Sequence, residues 1–311
     1  MADQHYEGKL SAFPVESIKP QEQNRPGLDA KMDPMAEFTR LETYDLETNE
    51  PKLAEYIGCN KLKGRACLLT GADSGIARSA ALLMAREGAN ISIVYLPAEQ
   101  KDADDVKKQI EEKEGTKCLL LPYDLTKRDN CKIVVDKHIE TYGRLDVLVN
   151  NSARQKQSDN FAEIDLDDVE LTYRTNIWTM FAVTKYAMPH LKRGASIINT
   201  GSVAAAMGNP SLVDYSSTKA AIATFTKSLA LQLAPKGIRV NCIAPGIIFT
   251  PFQPTSNDAD TMKQIGKGEP PLGRPGQPSE LGPAYVWLAS AESSYITGTV
   301  IHINGGIDVS A

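Results

Sequence analysis

Apolar and polar positions divide the chain into two parts. From Lys61 onward, short apolar runs alternate with amphipathic stretches. ACLLTG (66–71) is an apolar run closed by glycine, and GIARSAALLMAREG (75–88) repeats apolar residues at helical spacing before stopping at Gly88. NISIVYL (90–96) is β-branched and reads as a second strand, followed by an amphipathic helix over 102–115. KCLLLPYDL (117–125) is a third strand, 131–143 a helix and LDVLVNN (145–151) a fourth strand. Further strands are expected at 196–202, 238–246 and 300–305, with helices from about 215 to 233 and near 279–289. Continuous apolar strands between helices are buried on both faces. The pattern therefore predicts an α/β fold with a doubly wound parallel sheet.

Residues 1–60 differ. They are polar, carry Pro14, Pro20, Pro26, Pro34 and Pro51, and sustain neither period. They read as an extended N-terminal arm without a core of its own, preceding a single domain over 61–311. A free tail is the alternative. Phe13, Leu28, Met32, Phe38, Tyr44, Leu53 and Tyr56 are apolar enough for the arm to dock, either on its own domain or on a neighbouring subunit.

Composition narrows the class. A chain of 311 residues suits one large domain with an appendage. A net charge of -5 gives no electrostatic reason to expect nucleic acid or an anionic membrane as partner. No apolar run approaches the ~20 residues of a membrane span, and MADQHYEGKL lacks the layout of a signal peptide. The five cysteines (Cys59, Cys67, Cys118, Cys131, Cys242) show no CxxC spacing. They read as reduced thiols of a cytoplasmic protein, with no disulfide framework and no metal site.

Candidate chemistry starts at TGADSGIA (70–77), which follows the first strand and opens the first helix. Gly71 permits a tight turn, Gly75 lets backbone N–H groups approach phosphate oxygens, and the helix N-terminus adds partial positive charge. Asp73 or Ser74 is placed to cap the helix. Ala77 stands where a third glycine is expected. An ordinary helix start is the competing reading. Tyr215 and Lys219 are four residues apart on a helical segment and share a face. A phenol of pKa ~10 is a poor base at neutral pH, and a nearby ammonium favours its ionised form. A packed Tyr beside a surface Lys is the alternative, and the stronger one for the pair alone. Ser202 ends the strand SIINTGS, where ligand crevices open in such sheets, and its hydroxyl can donate to a substrate oxygen.

The glycine spacing GxxxGx(G/A), Asn150-Asn151-Ser152-Ala153, Ser202, the YxxxK pair Tyr215 and Lys219, and Pro245-Gly246 occur in that order. Together they resemble the short-chain dehydrogenase/reductase family over about residues 61–306. The resemblance implies a single Rossmann-type domain with a seven-stranded parallel sheet. It also implies NAD or NADP as cofactor and hydride transfer between nicotinamide and a carbonyl or alcohol carbon. It makes Asn176, Ser202, Tyr215 and Lys219 the catalytic set. Tyr215 would exchange a proton with the substrate, Lys219 would also hold the nicotinamide ribose, and Asn176 would hold a water that connects Lys219 to solvent. Implied cofactor contacts are Gly71, Asp73, Ser74, Gly75 and Ile76 in the turn, then Tyr95, Leu96, Asp124 and Leu125 around the adenosine. Asn150, Asn151 and Ser152 follow, with Tyr215, Lys219, Pro245, Gly246, Ile248 and Thr250 toward the nicotinamide. The Pro- and Gly-rich loop 250–277 is a candidate substrate lid. Arg154, Gln155, Met207, Asn209, Ile247 and Phe252 are expected to face a small carbonyl or alcohol substrate. No acidic residue ends the second strand, which favours NADP(H) over NAD(H), although only Lys101 lies nearby to meet a 2′-phosphate.

The arm, with KLKGR, TGADSGI, VYLPAE and GRPGQP, narrows the likeness to a subgroup labelled glucose/ribitol dehydrogenase-like or general-stress-protein-like. That subgroup includes NADP-dependent aldehyde reductases. Ala77, Ser152 and Gly201 depart from the family pattern. Three readings follow: an NADPH-dependent ketone or aldehyde reductase, favoured; an enzyme using the pocket for dehydration, epimerisation or cyclisation; and a non-catalytic dinucleotide sensor. The resemblance further implies a homotetramer, or a dimer, and the arm is expected to reach across subunits.

Overall fold

The computed structural model describes residues 11–13 and 17–309; the signal-peptide reading of residues 1–10 and Pro14 lie outside them. The arm holds two short strands, β1 (Arg40–Tyr44) and β2 (Pro51–Glu55), paired antiparallel. The domain then alternates β3 (Ala66–Thr70), α1 (Gly75–Arg86), β4 (Asn90–Tyr95), α2 (Gln100–Gln109), β5 (Cys118–Pro122), α3 (Arg128–Tyr142) and β6 (Leu145–Asn150). A long broken helix follows: α4 (Leu166–Tyr173), a π-turn over Arg174–Trp178, then α5 (Thr179–Ala187). The chain continues through β7 (Leu191–Thr200), α6 (Ala204–Met207), α7 (Val213–Leu233), β8 (Arg239–Pro245), α8 (Ala259–Gln264), α9 (Pro278–Ala289) and β9 (Val300–Ile303).

The seven domain strands form one parallel sheet in the order β5-β4-β3-β6-β7-β8-β9. All five residues of β3 are buried. Adjacent side chains serve opposite layers: Cys67 and Leu69 join the cluster that includes α1 and α9, while Leu68 joins the one that includes α3 and α5. This two-sided burial is what the apolar runs encoded. The strand order reverses between β3 and β6, so a crevice opens beyond their C-terminal ends.

Two expectations change. The helix read over 102–115 starts at Gln100 and turns into a π-turn at Ile110–Glu114, ended by Gly115 in the left-handed region. The arm, read without sustained period, contains the β1–β2 hairpin. It docks on its own domain, one of the two surfaces expected for it. Ile18, Met32, Ala36 and Phe38 are buried in the same cluster as α1 and α9. The Ser79 hydroxyl donates to Phe38 O at 2.6 Å, the Arg78 guanidinium lies 4.5 Å over the Phe38 ring, and Ser279 N donates to Glu37 O at 2.9 Å. Among the described residues, no helix is long and apolar enough to cross a membrane.

Candidate active site

The site is built at the strand-order reversal. Thr70, the last residue of β3, accepts on Oγ1 from Asn151 N at 2.9 Å and Ser152 N at 3.1 Å, which ties β3 to the end of β6. The chain then turns through Gly71 and Gly75, with φ of 64 and 54, conformations that favour glycine. No side chain caps α1 at Ser74, so its first turn keeps donors for a ligand. One of them, Gly75 N, donates to Asp29 Oδ2 of the arm at 3.1 Å.

A cavity of about 1010 Å³ runs from this turn across the strand ends to the loop after β8. Its length and glycine turn fit a dinucleotide with a substrate beside it. Every expected site residue lines it except Asn150, Asn176 and Met207. Asn150 lies between strands, donating to Thr184 Oγ1 at 3.1 Å and Asn199 Oδ1 at 2.9 Å, so it braces the sheet rather than lining the cavity. Met207 is exposed on the short α6. Asn176 sits in the π-turn, buried, and its amide is committed to protein. Its Oδ1 accepts from Arg154 N at 2.7 Å, and its Nδ2 donates to Arg154 O at 2.9 Å and Thr218 Oγ1 at 3.0 Å. The π-turn resolves the oddity of an Asn within a helix, since such turns reset side-chain direction at one point.

Ser202 follows β7, and Ala204 N donates to its Oγ at 3.1 Å. Tyr215 and Lys219 enter from α7, both buried. Lys219 Nζ donates to Thr200 O at 2.9 Å and lies 5.3 Å from the Tyr215 ring centroid. Burial pushes the Tyr215 phenol up to about 12, opposed by a hydrogen bond with Ser202. Burial also brings Lys219 down to about 8, with nearby Cys242 acting the other way. Removal from water, which disfavours the phenolate, therefore sets the direction for Tyr215, opposite to the depression expected from Lys219.

At the substrate end, the Phe252 ring lies 6.2 Å from Tyr215. Arg154 lines the cavity but pairs with Asp168 and donates to Thr172 Oγ1 at 3.2 Å. Gly201 is glycine for space: a Cβ there would lie 2.8 Å from Cys242 Sγ. The methyl of Ala77 packs in the core and does not line the cavity, so it does not crowd a cofactor.

Sequence reasoning missed three things here. Glu99 lies past the end of β4, but a 3-10 turn over Pro97–Glu99 folds it back, and its Oε2 accepts from Leu96 N at 2.7 Å. It lines the cavity beside Asp73. Burial and the charge of Asp73 raise Glu99 to about 8, and burial raises Asp73 to about 7. From the arm, Arg25, Pro26 and Gly27 also line the cavity. Gln253 and Asn257, from the loop after β8, and Asp260, from α8, were placed only as part of a lid.

A family model described as Enoyl-(Acyl carrier protein) reductase matches residues 71–308. General stress protein 39 of Bacillus subtilis is 41% identical over 297 residues, covering 96% of this chain and 98% of that protein. This chain belongs to the short-chain dehydrogenase/reductase family. The NADPH-dependent aldehyde reductase 1, chloroplastic, of Arabidopsis thaliana is 46% identical over 263 residues, 83% of this chain and 91% of that protein. A short-chain dehydrogenase from Burkholderia cenocepacia, solved in complex with NADP, superposes with a TM-score of 0.73 at 28% identity, covering 79% of this chain and 98% of the other. This short-chain dehydrogenase/reductase is thus an oxidoreductase that uses a nicotinamide dinucleotide on a small molecule.

Proposed function

We propose that this enzyme reduces an aldehyde or ketone with NADPH, with Tyr215 as the proton donor. The observation that carries this reading is the buried phenol, held protonated beside Ser202 at the rim of the cavity. A group of pKa about 12 stays protonated at neutral pH, so it holds the proton that the far more basic alkoxide takes up as a carbonyl becomes an alcohol. Ser202 donates to the same oxygen and stabilises charge as it develops. The bound cofactor supplies the hydride. Its pyrophosphate would lie on Ser74–Ile76, its adenine by Asp124, and its nicotinamide by Gly246 and Ile248. Lys219 would hold the nicotinamide ribose and keep positive charge near the reacting phenol. Asn176 acts as a positioning residue: both its polar atoms hold the loop that carries Arg154. Residues 250–277 serve as the lid. Exposed Phe181 on α5 and Leu231 on α7 support assembly as a homotetramer or dimer through these helices.

The test follows NADPH absorbance across a carbonyl panel and identifies products by mass. Alcohol formed in step with NADPH oxidation supports the reading. Product formed without net NADPH consumption would instead show dehydration, epimerisation or cyclisation.

The choice of NADPH draws on the plant relative, and Glu99 gives it a pH dependence. Near neutrality Glu99 is protonated and can donate to a 2′-phosphate; above about 8 it is an anion and repels one. Asp73 and Asp102 act on it in the same sense. The affinity ratio of NADP to NAD therefore falls by about tenfold between about pH 6.5 and about pH 9, the equivalent of one pKa unit. Calorimetry with both cofactors reads this, and Glu99→Gln removes the dependence. A ratio flat with pH would place the 2′-phosphate away from Glu99.

A further inference from the structure

Residues 22–29 of the arm form a strap from the lid to the nucleotide turn. Gln23 N donates to Pro254 O at 2.9 Å, and Glu22 Oε1 accepts from Ala259 N at 3.0 Å. At the other end Asp29 accepts from Gly75 N. Between them Gly27 lies so close to the lid that a Cβ would come within 2.3 Å of Pro251 O. This course sets Arg25 at the mouth of the cavity, where its Nη2 donates to Gln155 O.

Among the described residues, three cationic side chains line the cavity. Lys219 is bonded to Thr200 O, and Arg154 is paired with Asp168. Among the described residues, Arg25 has one carbonyl partner and no ion pair, while Asp168 and Asp214 act on it electrostatically. The acids Asp73, Glu99, Asp124, Asp260 and Glu269 line the same cavity. Arg25 is exposed at the mouth of the cavity; packing against the protein and the like charge of Arg154 lower its pKa, and Asp168 and Asp214 act the other way. The guanidinium fork matches the paired oxygens of a carboxylate or phosphate and leaves several donors for them.

We propose that Arg25 is a specificity-determining residue, whose guanidinium takes an oxyanion, carboxylate or phosphate, carried by the carbonyl substrate. The proposal rests on the carbonyl-reductase reading, and its test separates the two. The full chain loaded with NADPH is titrated calorimetrically with benzoate, inorganic phosphate and benzyl alcohol, as wild type, Arg25→Ala and Arg25→Lys. In parallel, kcat/KM is measured for 4-carboxybenzaldehyde against 4-methylbenzaldehyde, and for glyceraldehyde 3-phosphate against glyceraldehyde.

The expected result is that one anion binds the wild type better than benzyl alcohol. Arg25→Ala weakens it roughly tenfold or more, the usual loss for a hydrogen bond to a charged group. Arg25→Lys recovers part of the loss. The matching anionic-to-neutral ratio of kcat/KM falls by a similar factor, chiefly through KM. Response of the benzoate arm identifies a carboxylate, and of the phosphate arm a phosphate. The proposal is overturned if neither anion binds the wild type, or if Arg25→Ala lowers anionic and neutral substrates equally. If no aldehyde is reduced, the reductase reading fails, and calorimetry still decides the role of Arg25.

Discussion

Tyr215→Phe lowers kcat by about 10²–10⁴-fold, the usual contribution of a positioned general acid, while NADPH affinity stays within about twofold. The substitution removes one oxygen from a side chain that is otherwise held by packing in α7. The ring, the helix and the Lys219 bond to Thr200 O are retained, so the protein folds and binds. Without the phenol, the Ser202 hydroxyl remains as a donor at the substrate oxygen, where it stabilises charge but is a far weaker acid. Turnover is measured on the identified carbonyl substrate and affinity by calorimetry. Full turnover in the variant would show that the proton comes from elsewhere.

Phe38→Ala destabilises the protein by about 3–5 kcal/mol, the usual cost of truncating a buried Phe. Phe38 is 7% exposed although it lies in the polar arm. Its ring fills a gap in the cluster formed with α1 and α9, and it carries the Arg78 guanidinium on one face. Alanine leaves both a cavity and a cation without its ring. Urea unfolding of wild type and variant reads the difference. A loss below about 1 kcal/mol would mean that the arm is a surface attachment and not part of the core.

Most of the fold was legible because parallel strands bury both faces. The runs ACLLTG, NISIVYL and LDVLVNN declare themselves without any knowledge of their partners. The arm hairpin did not, because β1 and β2 are half-exposed or exposed at nearly every position and so carry no continuous apolar run. The phosphate turn, Ser202, Tyr215 and Lys219 were singled out because they occur in the order and spacing of a known family; spacing alone left an ordinary helix start and a packed Tyr beside a surface Lys as competing readings. What escaped depends on tertiary return of the chain. Glu99 comes back to the cavity through a 3-10 turn, and no strand-end rule locates it. Arg25 reaches the cavity from residues that carry no periodic signal, and a strap bonded to both lid and turn is visible only in three dimensions. The raised Tyr215 follows from burial, which residue spacing does not reveal.

The most direct test of the central claim is the fate of the hydride. NADPH deuterated at the transferable position of nicotinamide C4 is supplied with the carbonyl substrate, and the product is analysed by mass spectrometry. The account predicts an alcohol carrying one deuterium on the former carbonyl carbon, formed in equal amount to the NADP released. A product without deuterium, or one formed while the labelled NADPH remains unchanged, would contradict it.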